Sequence, residues 1–351
     1  MFFYISFLRP PPTSCSNTLS ITPQIANDLR TELYEGVQDI YYSWLSMTTG
    51  AETKPVKLTT WRGQSSAYKE IPVPLPRSAA NGTWRLVLGS GPSSSSVRLD
   101  AVSILPLGVM SMPILLGKPQ SSKSKAKLQD QIERVYTFGE NKTVRISEQT
   151  SFDLDKASHA LQKKIWDSGI GLSSWLIQCP PSFLSSPEPL RILELGAGTG
   201  IVSVVLGALR PEDRIIATDV ESAMPLLQHN ITANNSPVEA AVLDWDEEEL
   251  PQCVQECGAF DIIVMADVTY NTASFPSLVR SLKKLVNLSP KRPRVLLGYK
   301  ERDSGERALW GMAEEAGITL QQVGQIPGGG GMAVEIWEAA GGQMDATTVE
   351  D

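Results

Sequence analysis

A chain of 351 residues, 42% hydrophobic and 20% charged, can bury a substantial core and has the composition of an ordinary globular protein, arranged as two domains or as one domain with an extension. Its formal net charge of −8 argues against long-range attraction to nucleic acid or to an anionic membrane, so neither is expected as a partner. The histidines, His159 and His229, and the cysteines, Cys15, Cys179, Cys253 and Cys257, lack the spacing of metal ligands or of a disulfide framework, so no metal is expected and the thiols read as free in a reducing compartment.

Met1 to Leu8 is apolar but is cut off by Arg9 and Pro10 to Pro12, too short for a signal peptide, and no apolar run approaches the ~18 residues of a membrane span. The cytoplasm is the expected location, with the nucleus as the other candidate. Residues 1–125 read as an N-terminal extension, partly ordered. Within it Ile21 to Leu45 suggests an amphipathic helix, Pro72, Pro74 and Pro76 an extended segment, and Trp84 to Leu88 a strand. Gly89 to Ser96 is glycine- and serine-rich, Val97 to Leu116 is apolar again, and Lys118 to Lys127 is a basic linker.

Residues 126–340 form the second expected domain. Arg134 to Phe138 and Thr143 to Ile146 suggest a hairpin turning at Gly139-Glu140-Asn141, and Ser158 to Leu176 a helix. Strands then alternate with helices: Arg191 to Leu195, Gly200 to Leu209, Arg214 to Thr218, Ser222 to Asn234, Glu239 to Leu243, Phe260 to Ala266, Phe275 to Val286, Arg294 to Gly298, Gly305 to Ala316, Ile318 to Val323 and Met332 to Trp337. Continuous apolar strands separated by helices predict an α/β fold, a Rossmann-like, seven-stranded, mainly parallel sheet with helices on both faces. The last two strands lack a helix between them, so the final strand should run antiparallel through a flexible tip at Gly328 to Gly331. Glu247 to Glu249 reads as a solvated helix start, and residues 341–351 as an acidic flexible tail.

The chemistry concentrates at the strand ends. Glu194-Leu195-Gly196-Ala197-Gly198-Thr199-Gly200 joins a strand to a helix, and glycines there permit positive φ and close approach of backbone to a ligand. An ordinary tight turn accounts for such a loop equally well when it is taken alone. Asp219 ends the second strand, where a nucleotide-binding sheet places an acceptor for ribose hydroxyls; alone it could be a helix cap. Asp244-Trp245 ends the third, offering an acceptor beside an aromatic face, as an adenine requires. Ala266-Asp267-Val268-Thr269-Tyr270 ends the fourth and faces the same crevice. The spacing Gly196-x-Gly198-x-Gly200 is not the dinucleotide fingerprint G-x-G-x-x-G, which disfavours an NAD-dependent oxidoreductase.

Together with Trp166-Asp167 ahead of the first sheet strand, these elements resemble methyltransferase family 16, the seven-β-strand protein-lysine methyltransferases, over about Ile132 to Ala339. The resemblance implies S-adenosylmethionine as cofactor, held by Glu194, Gly196, Ala197, Gly198, Gly200, Asp219, Asp244 and Ala266, with Trp166 and Trp245 lining the pocket. It implies Asp267 and Tyr270 as the catalytic pair at the substrate lysine, and a protein substrate with an accessible lysine; the oligomeric state is not readable from the sequence, a monomer being the expectation. Leu297 to Arg302 resembles the fungal branch that methylates translation elongation factor 1-alpha. One departure is that Lys163 and Lys164 precede Ile165 where the family usually carries glycine. Rival readings are a small-molecule, nucleic-acid or other protein methyltransferase, which would share the cofactor half, although DNA and glutamine enzymes often carry Asn-Pro-Pro-Tyr where this chain has Asp267-Val-Thr-Tyr270, and a catalytically silent cofactor-binding scaffold.

Overall fold

Alternation of buried and exposed side chains, rather than helical spacing, organises the first 150 residues. The computed structural model describes residues 1–76, 82–92, 96–101, 104–117, 127–150 and 164–339. They fall into two units, Met1–Lys164 with Pro327–Gly331, and Ile165–Ile326 with Met332–Asp351. The helix expected between Ile21 and Leu45 does not form. Leu19–Ile21 and Pro23–Ala26 are strands, and Val37–Ser46 is a ten-residue strand that pairs antiparallel with Val56–Arg62 and Gly82–Gly89. Its β-branched and aromatic residues suit a pleated surface, and its burial approximates a period of two.

The described residues of the first unit form a β-structure with its own core. A nine-stranded sheet encloses a core that includes Ile40, Trp44, Trp61, Leu86, Leu88 and Ile114. Both buried indoles find acceptors, as an apolar interior demands: Trp44 Nε1 donates to Pro74 O at 2.9 Å and Trp61 Nε1 to Tyr34 O at 2.6 Å. The expected hairpin is present as Gln131–Phe138 against Lys142–Gln149, but it joins this sheet by pairing with Val109–Ser111. Buried ion pairs fix it there: Arg134 to Glu148 at 2.6 Å and Arg85 to Glu133 at 2.8 Å. Arg134 also donates to the Gly108 and Ile5 carbonyls, so its buried guanidinium has backbone acceptors beside its carboxylate partner. The division of the chain therefore falls after Lys164, whereas the sequence suggested residue 125. The glycines at 328–331 serve tight packing within this unit: a Cβ on Gly328 would collide with the Met1 carbonyl, and one on Gly329 would lie 2.6 Å from that of Ile104.

In the second unit the strands are β1 (Arg191–Leu195), β2 (Arg214–Asp219), β3 (Glu239–Val242), β4 (Ile262–Ala266), β5 (Arg294–Tyr299), β6 (Gln321–Ile326) and β7 (Val334–Ala339). The helices are α1 (Asp167–Gln178), α2 (Ile201–Leu209), α3 (Met224–Ala233), α4 (Gln252–Cys257), α5 (Phe275–Asn287) and α6 (Ala308–Glu315). The sheet order is β3-β2-β1-β4-β5-β7-β6, parallel from β3 to β5, with β7 antiparallel to both neighbours. Leu193, Leu195, Ile263, Met265 and Leu297 share one core with residues of α5 and α6, while Gly298 lies directly under Leu172 of α1 on the opposite face. Strand order reverses between β1 and β4, which opens a crevice at their carboxyl ends.

Several boundaries shift. Helix α1 begins at Asp167 rather than Ser158, although residues 158–163 lie outside those described, as does the tail at 341–351. Strand β6 starts three residues later than expected. Glu247 to Glu249 forms an exposed turn, and helix α4, absent from the sequence reading, follows Pro251.

Candidate active site

The loop after β1 has left-handed backbone at each of its glycines: φ is +67° at Gly196, +56° at Gly198 and +79° at Gly200. A side chain at any of them would be strained. The loop is pinned to β2, with Ala197 N–H donating to Thr218 O at 2.9 Å and Gly198 N–H to Asp219 Oδ2 at 2.7 Å. Val220 N–H donates to the other carboxylate oxygen at 2.7 Å. Asp219 is buried, and desolvation raises its pKa while these two backbone donors oppose the rise. A Cβ on Gly196 would lie 3.0 Å from Val268 Cγ1 and 3.2 Å from Trp245 Cζ2. One glycine therefore brings together the tips of β1, β3 and β4.

Trp245 is half-buried, and helix α5 holds it: Arg280 donates to its carbonyl at 3.1 Å. Asp244 is exposed and accepts from Asp246 N–H at 3.0 Å, a local turn that leaves its carboxylate at the rim. Arg280 was not singled out from the sequence, because a cation in mid-helix carries no local sign of a partner 35 residues earlier.

Glu194 is turned toward helix α2. Its Oε2 accepts from Ser203 N–H at 3.0 Å and from the Ser203 hydroxyl, which ties β1 to helix α2. Complete burial pushes its pKa from 4.5 up to about 8, against those hydrogen bonds. Between these values the folded protein keeps a proton that the unfolded chain has lost. The associated stability is complete below pH 4.5 and is lost as pH rises through about 8, at no more than about 1.4 kcal/mol per pH unit. Glu194→Gln should remove that slope. Urea midpoints of variant and wild type at mildly acidic and mildly alkaline pH test this, and parallel pH profiles would refute it.

The last part of the site gathers around Asp267. This residue follows β4 with φ of +59°, unusual for a non-glycine, and it is 7% exposed. Its Oδ2 accepts from Ser168 N–H at 3.2 Å, in the first turn of α1 where a carboxylate is favoured. The same oxygen accepts from Arg302 Nη2 at 3.0 Å, and Arg302 Nη1 pairs with Oδ1. The Arg302 guanidinium lies 5.1 Å from the centre of the Trp166 ring. Beside it, Lys300 Nζ donates to Asp167 Oδ2 at 2.8 Å, both side chains being buried. The Trp166-Asp167 motif and the turn after β4 thus meet at one point. Val268 enters the core beneath the glycine loop, Thr269 is buried, and Tyr270 stands 45% exposed at the rim. Ala266 ends β4, half-buried. Lys300 and Arg302 were not assigned as site residues from sequence, though they follow β5 much as Asp267 follows β4.

Among the described residues no cluster of His, Cys, Asp and Glu could hold a metal ion, and no helix is long and apolar enough to cross a membrane. A sequence profile described as lysine methyltransferase matches residues 140–316. The chain is 28% identical over 161 residues to a UPF0665 family protein of Schizosaccharomyces pombe, covering 44% of this chain and 47% of that one. It is 29% identical over 126 residues to EEF1A lysine methyltransferase 3 of Xenopus tropicalis, covering 34% and 51%. It is 28% identical over 163 residues to protein-lysine N-methyltransferase EFM6 of Saccharomyces cerevisiae, covering 41% and 65%. The chain spans about half to two thirds of the length of these curated relatives, 47% to 65%.

Proposed function

We propose that this chain, which belongs to the lysine methyltransferase family, transfers a methyl group from S-adenosylmethionine to a lysine side chain of a protein, acting as a monomer in the cytoplasm. The observation that carries the reading is the place of Val268. Its side chain lies under Gly196 of the glycine loop, and its neighbour Asp267 is fixed at the start of α1. A cofactor cradle and an acceptor for a substrate amine therefore share one rigid turn.

The residues present fit S-adenosylmethionine. The missing Cβ of Gly196 preserves a gap against the Trp245 ring, and the spacing of the glycines does not form a pyrophosphate seat. Gly196, Ala197, Gly198 and Gly200 would supply the backbone wall, Asp219 the acceptor for ribose hydroxyls, and Asp244 with Trp245 the adenine end. Trp166 and Ala266 would complete the lining. Glu194 would act through the loop it braces. When bound, S-adenosylmethionine supplies the methyl group, its sulfur keeping the C–S pair as the lone pair of a neutral lysine amine forms the C–N bond. Asp267 would orient that amine by accepting a hydrogen bond, and Tyr270 would form a wall with a hydroxyl at the rim. Desolvation on entering the site favours loss of the lysine proton.

The names of the relatives point to translation elongation factor 1-alpha as the first substrate to test. The full chain would be incubated with methyl-labelled S-adenosylmethionine and unmethylated elongation factor 1-alpha, in parallel with a cell lysate, and labelled proteins mapped by mass spectrometry. Label on a lysine is expected. Label confined to small molecules or nucleic acid would overturn the reading.

A further inference from the structure

A lysine amine has to be neutral to attack carbon, and its ordinary pKa is about 10.4. A carboxylate within hydrogen-bonding distance stabilises the ammonium form and so opposes the reaction it is meant to position. The corner at Asp267 resolves this conflict. Its carboxylate is already paired, through both oxygens, with the guanidinium of Arg302. The pair is nearly buried, with side chains 13% and 5% exposed. Arginine suits this position because it stays protonated, forks onto both oxygens and stacks on an aromatic face, here that of Trp166.

The other charged groups facing the corner have partners of their own. From α1 and the end of β5, Asp167 and Lys300 form a second buried pair. Glu301, next along, shares Arg307 with Glu335 of β7. From the turn before α6, Glu306 accepts the backbone N–H of Arg302 at 3.1 Å. Around Asp267, three donors occupy a carboxylate with about four acceptor positions, which leaves room on Oδ1 for one more.

We propose that Arg302 is a charge-compensating positioning residue: paired with Asp267 and stacked on Trp166, it lets Asp267 orient a substrate lysine by hydrogen bond without holding that lysine's proton. The proposal rests on Asp267 being the substrate-lysine corner. It makes Arg302, outside the Asp-x-x-Tyr motif, a determinant of the pH at which the enzyme works.

The test is the pH dependence of kcat, separated from KM, for methyl transfer to unmethylated elongation factor 1-alpha. Three variants are compared with wild type: Arg302→Gln, Arg302→Lys, and the double variant Asp267→Asn with Arg302→Gln. With the carboxylate uncompensated, Arg302→Gln should move the rising limb of kcat up by at least about one pH unit, a tenfold or greater loss near neutrality regained in alkali. Arg302→Lys should keep the limb near its wild-type position. The double variant, which removes both charges, should also return the limb to that position, though at a lower plateau. Melting curves and calorimetry with S-adenosylhomocysteine establish that each variant is folded. Should Arg302→Gln not fold, the double variant carries the test, and a limb displaced upward in that neutral pair overturns the proposal. An equal loss at every pH in Arg302→Gln, the mark of a merely structural arginine, overturns it too. A wild-type enzyme that binds S-adenosylhomocysteine but labels no protein overturns the substrate reading and this proposal with it, a result distinct from a flat Arg302→Gln profile on an active enzyme.

Discussion

Gly196→Val is expected to abolish methyl transfer and to weaken S-adenosylhomocysteine binding by at least about a hundredfold, which is about 2.7 kcal/mol. Two independent costs coincide at this position. A β-branched residue at a φ of +67° is strained by roughly 1–3 kcal/mol. Its Cβ would also lie 3.0 Å from Val268 and 3.2 Å from Trp245, and both neighbours are hemmed in, Val268 by the core and Trp245 by helix α5. Relief comes only by moving the loop or by turning the indole, and either change alters the cradle. Calorimetry with S-adenosylhomocysteine on protein shown to be folded by its melting curve measures the effect. Binding within threefold of wild type would mean that the cradle lies elsewhere.

Asp267→Ala should destabilise the protein by about 3–5 kcal/mol and lower kcat by about a hundredfold or more. Removing the carboxylate leaves the Arg302 guanidinium buried without its counter-charge, deprives Ser168 N–H of its acceptor, and places alanine at a φ of +59°. Asparagine tolerates left-handed backbone and retains one oxygen for Ser168, so Asp267→Asn should be the milder change in stability while still losing activity. Urea unfolding orders the two variants. If alanine were no worse than asparagine, neither the strained backbone nor the paired carboxylate would be contributing as described.

What the sequence could show depended on the range of the interactions. The α/β alternation, the glycine loop and the acidic residues at the strand ends are local patterns, and the seven-stranded sheet follows from them almost strand by strand. The hairpin at residues 131–149 was also visible from its Gly139 turn, but its membership of the first unit was not, because that depends on pairing with Val109–Ser111. Val37–Ser46 is a strand and not part of a helix because its neighbours in the sheet, at 56–62 and 82–89, are what give its alternation meaning. Helix α4 has only six residues after a proline, too few for a period to emerge. At the site, Glu194 ends up facing Ser203 of α2, a direction set by the pleat of β1. Arg302 and Lys300 acquire their roles only once β5 lies beside β4 and α1 closes over both.

The order of the sheet also governs how the protein can be made. Among the described residues of the second unit, strand β7 is the last element to be synthesised, yet it lies between β5 and β6 and pairs with both. Until Val334–Ala339 has emerged from the ribosome, two strands that end as neighbours of a completed ladder remain open edges, each able to recruit a foreign strand. Premature stop codons only a little upstream of residue 334 should therefore yield aggregates rather than a weakened enzyme.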